Sequence, residues 1–185
     1  ADHVICISQS TKRDLCTLYG VTDEKITVVH HGFDRLHAIR SDEELLEASD
    51  KPFVLFVGQR SGYKNFKGLI HAVARSSKLK NSVDIIAFGG GALTSDELAM
   101  IKDTGLALDA VKQMGGSDAL LASLYSSAAV FVYPTLYEGF GFPPLEAMVH
   151  SCPVVASNSS SIPEVIGDAG LLVEPNDIDA FSDAI

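Results

Sequence analysis

Apolar residues along this chain gather in short continuous runs, and amphipathic stretches separate them. Runs at 4–7, 26–29, 52–57, 83–88, 111–114, 129–133, 153–156 and 171–173 each read as a strand buried on both faces. The stretches between them carry helical spacing and start signals. Ser8 or Ser10 opens a helix that reaches Tyr19 and stops at Gly20. Leu69, Ile70, Val73 and Ala74 form the apolar stripe of the next. Thr94 or Ser95 opens a helix to about Thr104, and Ser117 or Asp118 opens one carrying Leu120, Leu121, Leu124 and Tyr125. A helix from about Pro143 to Val149 has Leu145, Met148 and Val149 on one face, and Pro is tolerated in its first turn. Pro175-Asn176-Asp177 opens the last, with Ile178, Phe181 and Ile185 together. Strand–helix alternation with unbroken apolar strands predicts an α/β fold: one Rossmann-like open parallel sheet with helices on both faces. No repeat with a period of roughly 20–50 residues is present, which excludes solenoids.

Composition narrows the function. At 185 residues and 46% hydrophobic, the chain suits one domain with a true core. No apolar run approaches the length of a membrane-spanning helix, and the opening Ala1-Asp2-His3 is unlike a secretory signal. Cys6, Cys16 and Cys152 lack Cys-x-x-Cys spacing and read as small packing residues of a reducing, cytoplasmic compartment. A net charge of −10 argues against a nucleic-acid surface. The distribution says more: residues 1–112 hold 14 bases and 15 acids, whereas 113–185 hold nine acids and no Lys or Arg. An anion bound in the second part needs cations from the first, and Arg60, Lys64 and Lys67 are the suppliers in reach of a strand end. The acidic segment 41–50 reads as a solvated helix or linker.

Two turns carry the candidate chemistry. In 137–146, Gly139 and Gly141 allow a sharp bend and close approach of a ligand, just after a strand and just before a helix N-terminus. Glu138 and Glu146 flank that bend. In 58–65, Gly58 ends a strand, and Arg60 and Lys64 can neutralise a diphosphate. Gly89-x-Gly91-x-x-Thr94 lacks the third glycine of a dinucleotide fingerprint. Adjacent His30 and His31 point to opposite faces of a strand, so they read as loop and packing residues rather than as a metal pair.

The run from Pro134 to Met148, Pro-Thr-Leu-Tyr-Glu-Gly-Phe-Gly-Phe-Pro-Pro-Leu-Glu-Ala-Met, resembles the donor-site segment of retaining, nucleotide-sugar-dependent glycosyltransferases of the GT-B fold, the "group 1" type. Seven residues separate Glu138 from Glu146, as in that family's paired-Glu signature. Cys152 to Asn158 and Ile162 to Val165 continue the likeness, and 58–65 resembles the family's diphosphate loop, with Tyr63 where many relatives have Arg. The family usually has Asn at the position of His31.

The resemblance implies one half of a GT-B fold. Residues 1–185 would form a single donor-binding domain of a two-domain enzyme, with an acceptor-binding domain upstream. It implies a metal-independent hexosyltransferase that needs no cofactor and takes a GDP- or UDP-linked sugar. Glu138 would face the sugar, and Arg60 and Lys64 would stabilise the leaving diphosphate. Glu146 would hold the ribose, while Gly58 and the N–H groups of Gly139, Phe140 and Gly141 would hold sugar or phosphate. Met114 and Gly115 would line the base pocket. The acceptor would be a glycan or lipid-linked, with any peripheral membrane association through the other domain. The isolated chain would bind donor without transferring sugar. Alternatives are a non-catalytic nucleotide-sugar-binding module and a sugar-nucleotide epimerase of the same fold.

Overall fold

A computed structural model describes residues 1–33 and 51–185. Asp34 and the expected acidic helix or linker at 41–50 lie outside the described residues. Six of the strands are β3 (Phe53–Val57), β4 (Asp84–Phe88), β5 (Val111–Met114), β6 (Val130–Tyr133), β7 (Val154–Ser157) and β8 (Leu171–Val173). They form one fully parallel sheet in the order β5-β4-β3-β6-β7-β8. Counting β3 as the first strand, this is the doubly wound order 3-2-1-4-5-6. The chain grows outward from β3 in one direction and then, at β6, in the other. The crevice between the carboxyl ends of β3 and β6 is therefore the topological switch point, where such sheets bind ligands.

The helices are α1 (Gln9–Tyr19), α2 (Phe66–Arg75), α3 (Ser77–Ser82), α4 (Ser95–Asp103), α5 (Asp118–Ser127), α6 (Phe142–Val149), α7 (Ile162–Ile166) and α8 (Ile178–Ala184). Alternate strand residues feed two separate core layers, as an open sheet covered on both faces requires. Val54 and Phe56 pack with α2, α4 and α8 residues such as Leu69, Ile101 and Phe181. Phe53 and Leu55 pack on the opposite face with Leu124, Ala147 and Ile162 of α5, α6 and α7. Phe56 meets Phe66 edge-on at 5.0 Å between centroids, and truncating a buried aromatic of this kind costs about 3–5 kcal/mol. Burial pushes the Cys152 thiol up to about 11, consistent with a packing role; Cys6 is also buried and Cys16 half-buried.

The expectation of a single sheet needs correcting. β1 (Val4–Cys6) and β2 (Ile26–Val28) pair in parallel with each other, apart from the six. An apolar run does not say which strand it will join, nor that both its faces are covered: Ile5 of β1 and Val29 just after β2 are exposed, against the expectation of burial on both faces. Ser8 caps α1 through Thr11 N–H, and Gly20 closes it in the left-handed region. Glu164 of α7 then ties this small unit to the large one. Its carboxylate accepts from the N–H groups of Gln9 (2.8 Å) and Ser10 (3.0 Å), two of the donors that a helix N-terminus leaves open. The short polar α3, capped by Ser76, was not expected, because Leu79 alone offers no periodicity. Among the described residues no helix is long and apolar enough to cross a membrane.

Candidate functional site

β3 ends at Val57, and its following turn runs over Lys64 to Asn65. Asn65 adopts a left-handed conformation, caps α2 by accepting from Gly68 N–H, and donates to the carbonyls of Pro134 and Pro175. One side chain thereby locks the turn after β3 to the turn after β6. Leu136 N–H adds a bond to the Tyr63 carbonyl at 2.7 Å. This places Lys64 Nζ 2.7 Å from Glu138 Oε1, across 74 residues of sequence. Both side chains are mostly buried, at 16% and 12% exposure. The Tyr133 hydroxyl, 3.0 Å from Nζ, donates to the same Oε1 at 2.7 Å, and the Thr135 hydroxyl stands 3.0 Å from it. Oε2 of Glu138 accepts nothing among the described residues.

Glu146 lies on α6, half-buried. The Tyr125 hydroxyl of α5 donates to its Oε2 at 3.0 Å, and Oε1 has no partner among the described residues. Burial, with the neighbouring Glu146 charge, drives the Tyr125 phenol far above its ordinary range, so it stays a donor. Gly141 opens α6 with φ 107, and a Cβ there would sit 2.8 Å from Ile162 Cδ1. A side chain is thus excluded twice, by backbone conformation and by space. Ser161 accepts no such freedom for the loop: its hydroxyl reaches the carbonyls of Glu138 and Phe140 at 2.8 and 2.9 Å. The N–H groups of Gly139, Phe140 and Gly141 have no acceptor among the described residues.

Arg60 is held by the turn after β4. Its side chain is 3% exposed and paired with Glu97 at 2.8 Å, and it also donates to the carbonyls of Gly89 (2.8 Å), Gly90 (3.4 Å) and Ala92 (2.9 Å). Four of its five N–H donors have acceptors, and through them it braces the glycine turn after β4. Gly90 is required beneath it, since a Cβ there would lie 2.9 Å from the guanidinium. Lys67 lines a groove of about 660 Å³ between α2 and α4, apart from the Lys64–Glu138 pair. Gly58, at φ 123, donates to the Phe88 carbonyl and joins the β3 and β4 turns. Met114 ends β5 and accepts from Gly89 N–H, with Gly115 just beyond it. Both stand at the same sheet edge, with β4 between their strand and β3.

Sequence reasoning assigned no role to Tyr125, Tyr133, Thr135, Glu97 or Glu164. Tyr125, Glu97 and Glu164 meet partners 21, 37 and 155 residues away, and Tyr133 and Thr135 reach Glu138 from five and three positions before it, at a strand end where no regular spacing marks them. His30 stands 3.2 Å from Glu164, and His31 packs edge-on to Phe140 at 5.3 Å. Asp177 and Asp179, an Asp-x-Asp spacing, are engaged in capping α8 and in pairing with Arg75. Among the described residues no group of three His, Cys, Asp or Glu could hold a metal ion. What the crevice does offer is an ammonium, two carboxylates each with one open oxygen, and a run of open N–H groups. These can bind an anion and hydroxyl groups together.

The family described as "Glycosyl transferases group 1" matches residues 39–185, and that described as "Glycosyltransferase Family 4" matches residues 1–35. O-antigen chain mannosyltransferase B of Escherichia coli is 32% identical, over 97% of this chain and 49% of that protein. O-antigen chain mannosyltransferase RfbU of Salmonella typhimurium is 30% identical, over 99% of this chain and 50% of that protein. The chain thus spans about half the length of these relatives. Among solved structures, Anabaena HepE in complex with UDP and glucose superposes with a TM-score of 0.83 at 24% identity, covering 99% of this chain and 52% of that one.

Proposed function

The chain belongs to the glycosyl transferases group 1 family, and from that premise we propose that it is the donor-binding domain of a retaining glycosyltransferase that uses a nucleoside diphosphate sugar. The observation that carries this reading is the Lys64–Glu138 contact at the switch point, with Glu146 on the adjoining helix. Lys64 supplies the positive charge for a diphosphate to a crevice whose other wall comes from residues 113–185, which lack Lys and Arg. The open N–H groups of Gly139, Phe140 and Gly141 share that anion or hold the sugar. Glu138 orients the sugar and stabilises the cationic character that develops as the leaving diphosphate departs. Glu146 accepts the ribose hydroxyls through its open oxygen. Gly58, Met114 and Gly115, on the same sheet edge, border the nucleotide. Arg60 serves this site indirectly, through the glycine turn it fixes.

The donor base is guanine or uracil, and the acceptor is a glycan or a lipid-linked glycan held by an N-terminal domain. Exposed Ile5, Leu18, Tyr19 and Val29 on the small β1–α1–β2 unit support such a domain, because a two-stranded sheet is rarely stable alone. The chain by itself binds donor without turnover, since transfer needs both substrates held together. The test is calorimetric titration of GDP, UDP, GDP-mannose, UDP-glucose and the free nucleosides. At least one diphosphate binds, and Lys64→Ala weakens it about 10- to 100-fold while leaving the nucleoside nearly unchanged. Equal weakening of both would remove the phosphate role.

A further inference from the structure

We propose that Tyr133 is a positioning residue that keeps the Glu138 carboxylate presented to the donor sugar while Lys64 turns toward the diphosphate. This rests on the reading of Lys64 and Glu138 given above. Glu138 Oε1 gathers Lys64 Nζ at 2.7 Å, the Tyr133 hydroxyl at 2.7 Å and the Thr135 hydroxyl at 3.0 Å. Lys64 therefore has two claims on it. Its ammonium rides on a flexible stem, and a diphosphate brings more negative charge than one carboxylate, so donor binding draws it away from Glu138. A carboxylate held by that lysine alone would then be free to swing.

Tyr133 cannot follow the lysine. It is 1% exposed at the last position of β6, stacked on Phe131 at 5.7 Å, with its ring edge beside Gly141. Its oxygen faces the Lys64 ammonium at 3.0 Å, which leaves its single proton to go to Glu138. Burial and the Glu138 charge keep that proton on the phenol well beyond neutral pH, so the donor persists when the ammonium leaves. Thr135, fully buried, is a weaker second anchor, because its one proton is shared with the carbonyls of Tyr63 and Tyr137, each at 3.2 Å. Both grip Oε1, and Oε2 remains for a sugar hydroxyl.

The test compares the ratio of affinities for a sugar nucleotide and its diphosphate, using UDP-glucose with UDP and GDP-mannose with GDP. In Tyr133→Phe the ratio should fall about tenfold with diphosphate affinity within twofold of wild type. Retained diphosphate affinity also reports that the variant is folded. Thr135→Val should move the ratio the same way by less, and it supplies the same readout if Tyr133→Phe does not fold. Lys64→Ala should do the reverse, weakening both ligands with little change in ratio. An unchanged ratio in Tyr133→Phe, or parallel loss of both ligands, would overturn the positioning role and leave the donor-site reading standing. Failure of the wild-type chain to bind any of the four would overturn the donor-site reading itself, and the positioning role with it.

Discussion

Two charged clusters sit at the carboxyl edge of the same sheet, four residues apart in one loop, and they differ in what they leave open. Around Arg60, each nitrogen of the guanidinium meets an acceptor: Glu97 and the carbonyls of Gly89, Gly90 and Ala92. Around Lys64, the ammonium meets Glu138 and Tyr133, yet one oxygen of Glu138 and one of Glu146 remain without partners among the described residues. The first cluster fixes a backbone, through carbonyls of three residues in one turn. The second retains capacity for a ligand. Sign of charge and proximity to a glycine turn are the same for both cations; the shape of the head group and the partners it gathers separate them. A fork-shaped, weakly hydrated guanidinium suits a buried multidentate brace, and a single ammonium on a flexible stem suits a contact that must be exchanged.

The strongest way to break this contrast is through stability. Arg60→Ala leaves Glu97 partly buried without its cation and strands three carbonyls, and it should cost about 3–5 kcal/mol in denaturant unfolding. Lys64→Ala should cost less than half of that, because Glu138 retains Tyr133 and Thr135 as donors. Similar losses for the two variants would show that both cations are structural. A smaller effect sharpens the open side: Glu146→Gln keeps the shape but removes the charge, and should lower the preference for a ribonucleotide over its 2′,3′-dideoxy counterpart by about 1 kcal/mol. Titration of both nucleotides against both proteins checks it, and an unchanged preference would make Glu146 a helix residue held by Tyr125 and nothing more.

The smallest effect tests the Arg60 side by pH. Burial raises the Glu97 carboxyl, but the Arg60 hydrogen bond, the bonds from Thr94 and the Arg60 charge outweigh it and hold the group below its ordinary value of 4.5. A carboxyl lower in the folded state than in the unfolded one adds stability above the unfolded value and loses it as pH falls through the folded one. Melting temperature should therefore fall on acidification below about pH 4.5, and Glu97→Gln should flatten that slope. The same slope in both proteins would mean that Glu97 does not contribute to the brace.

By itself the sequence determined the elements and much of their burial. Those depend on neighbours three or four positions away in a helix or two away in a strand, and on caps such as Ser8, Thr94, Ser117 and Asp177 acting within one turn. It also located both turns, and the absence of Lys and Arg after Lys112 pointed to the β3 turn as the source of any cation beside them. Tertiary structure alone decided which of the two cations stands beside Glu138. Arg60 and Glu97 are 37 residues apart, Lys64 and Glu138 are 74 apart, and whether a donor has acceptors left over is a property of everything folded around it. The same holds for β1 and β2, whose apolar runs read like the others but which, among the described residues, pair with each other and not with the six. Strand pairing, like hydrogen-bond saturation, is settled by partners that the local pattern does not name.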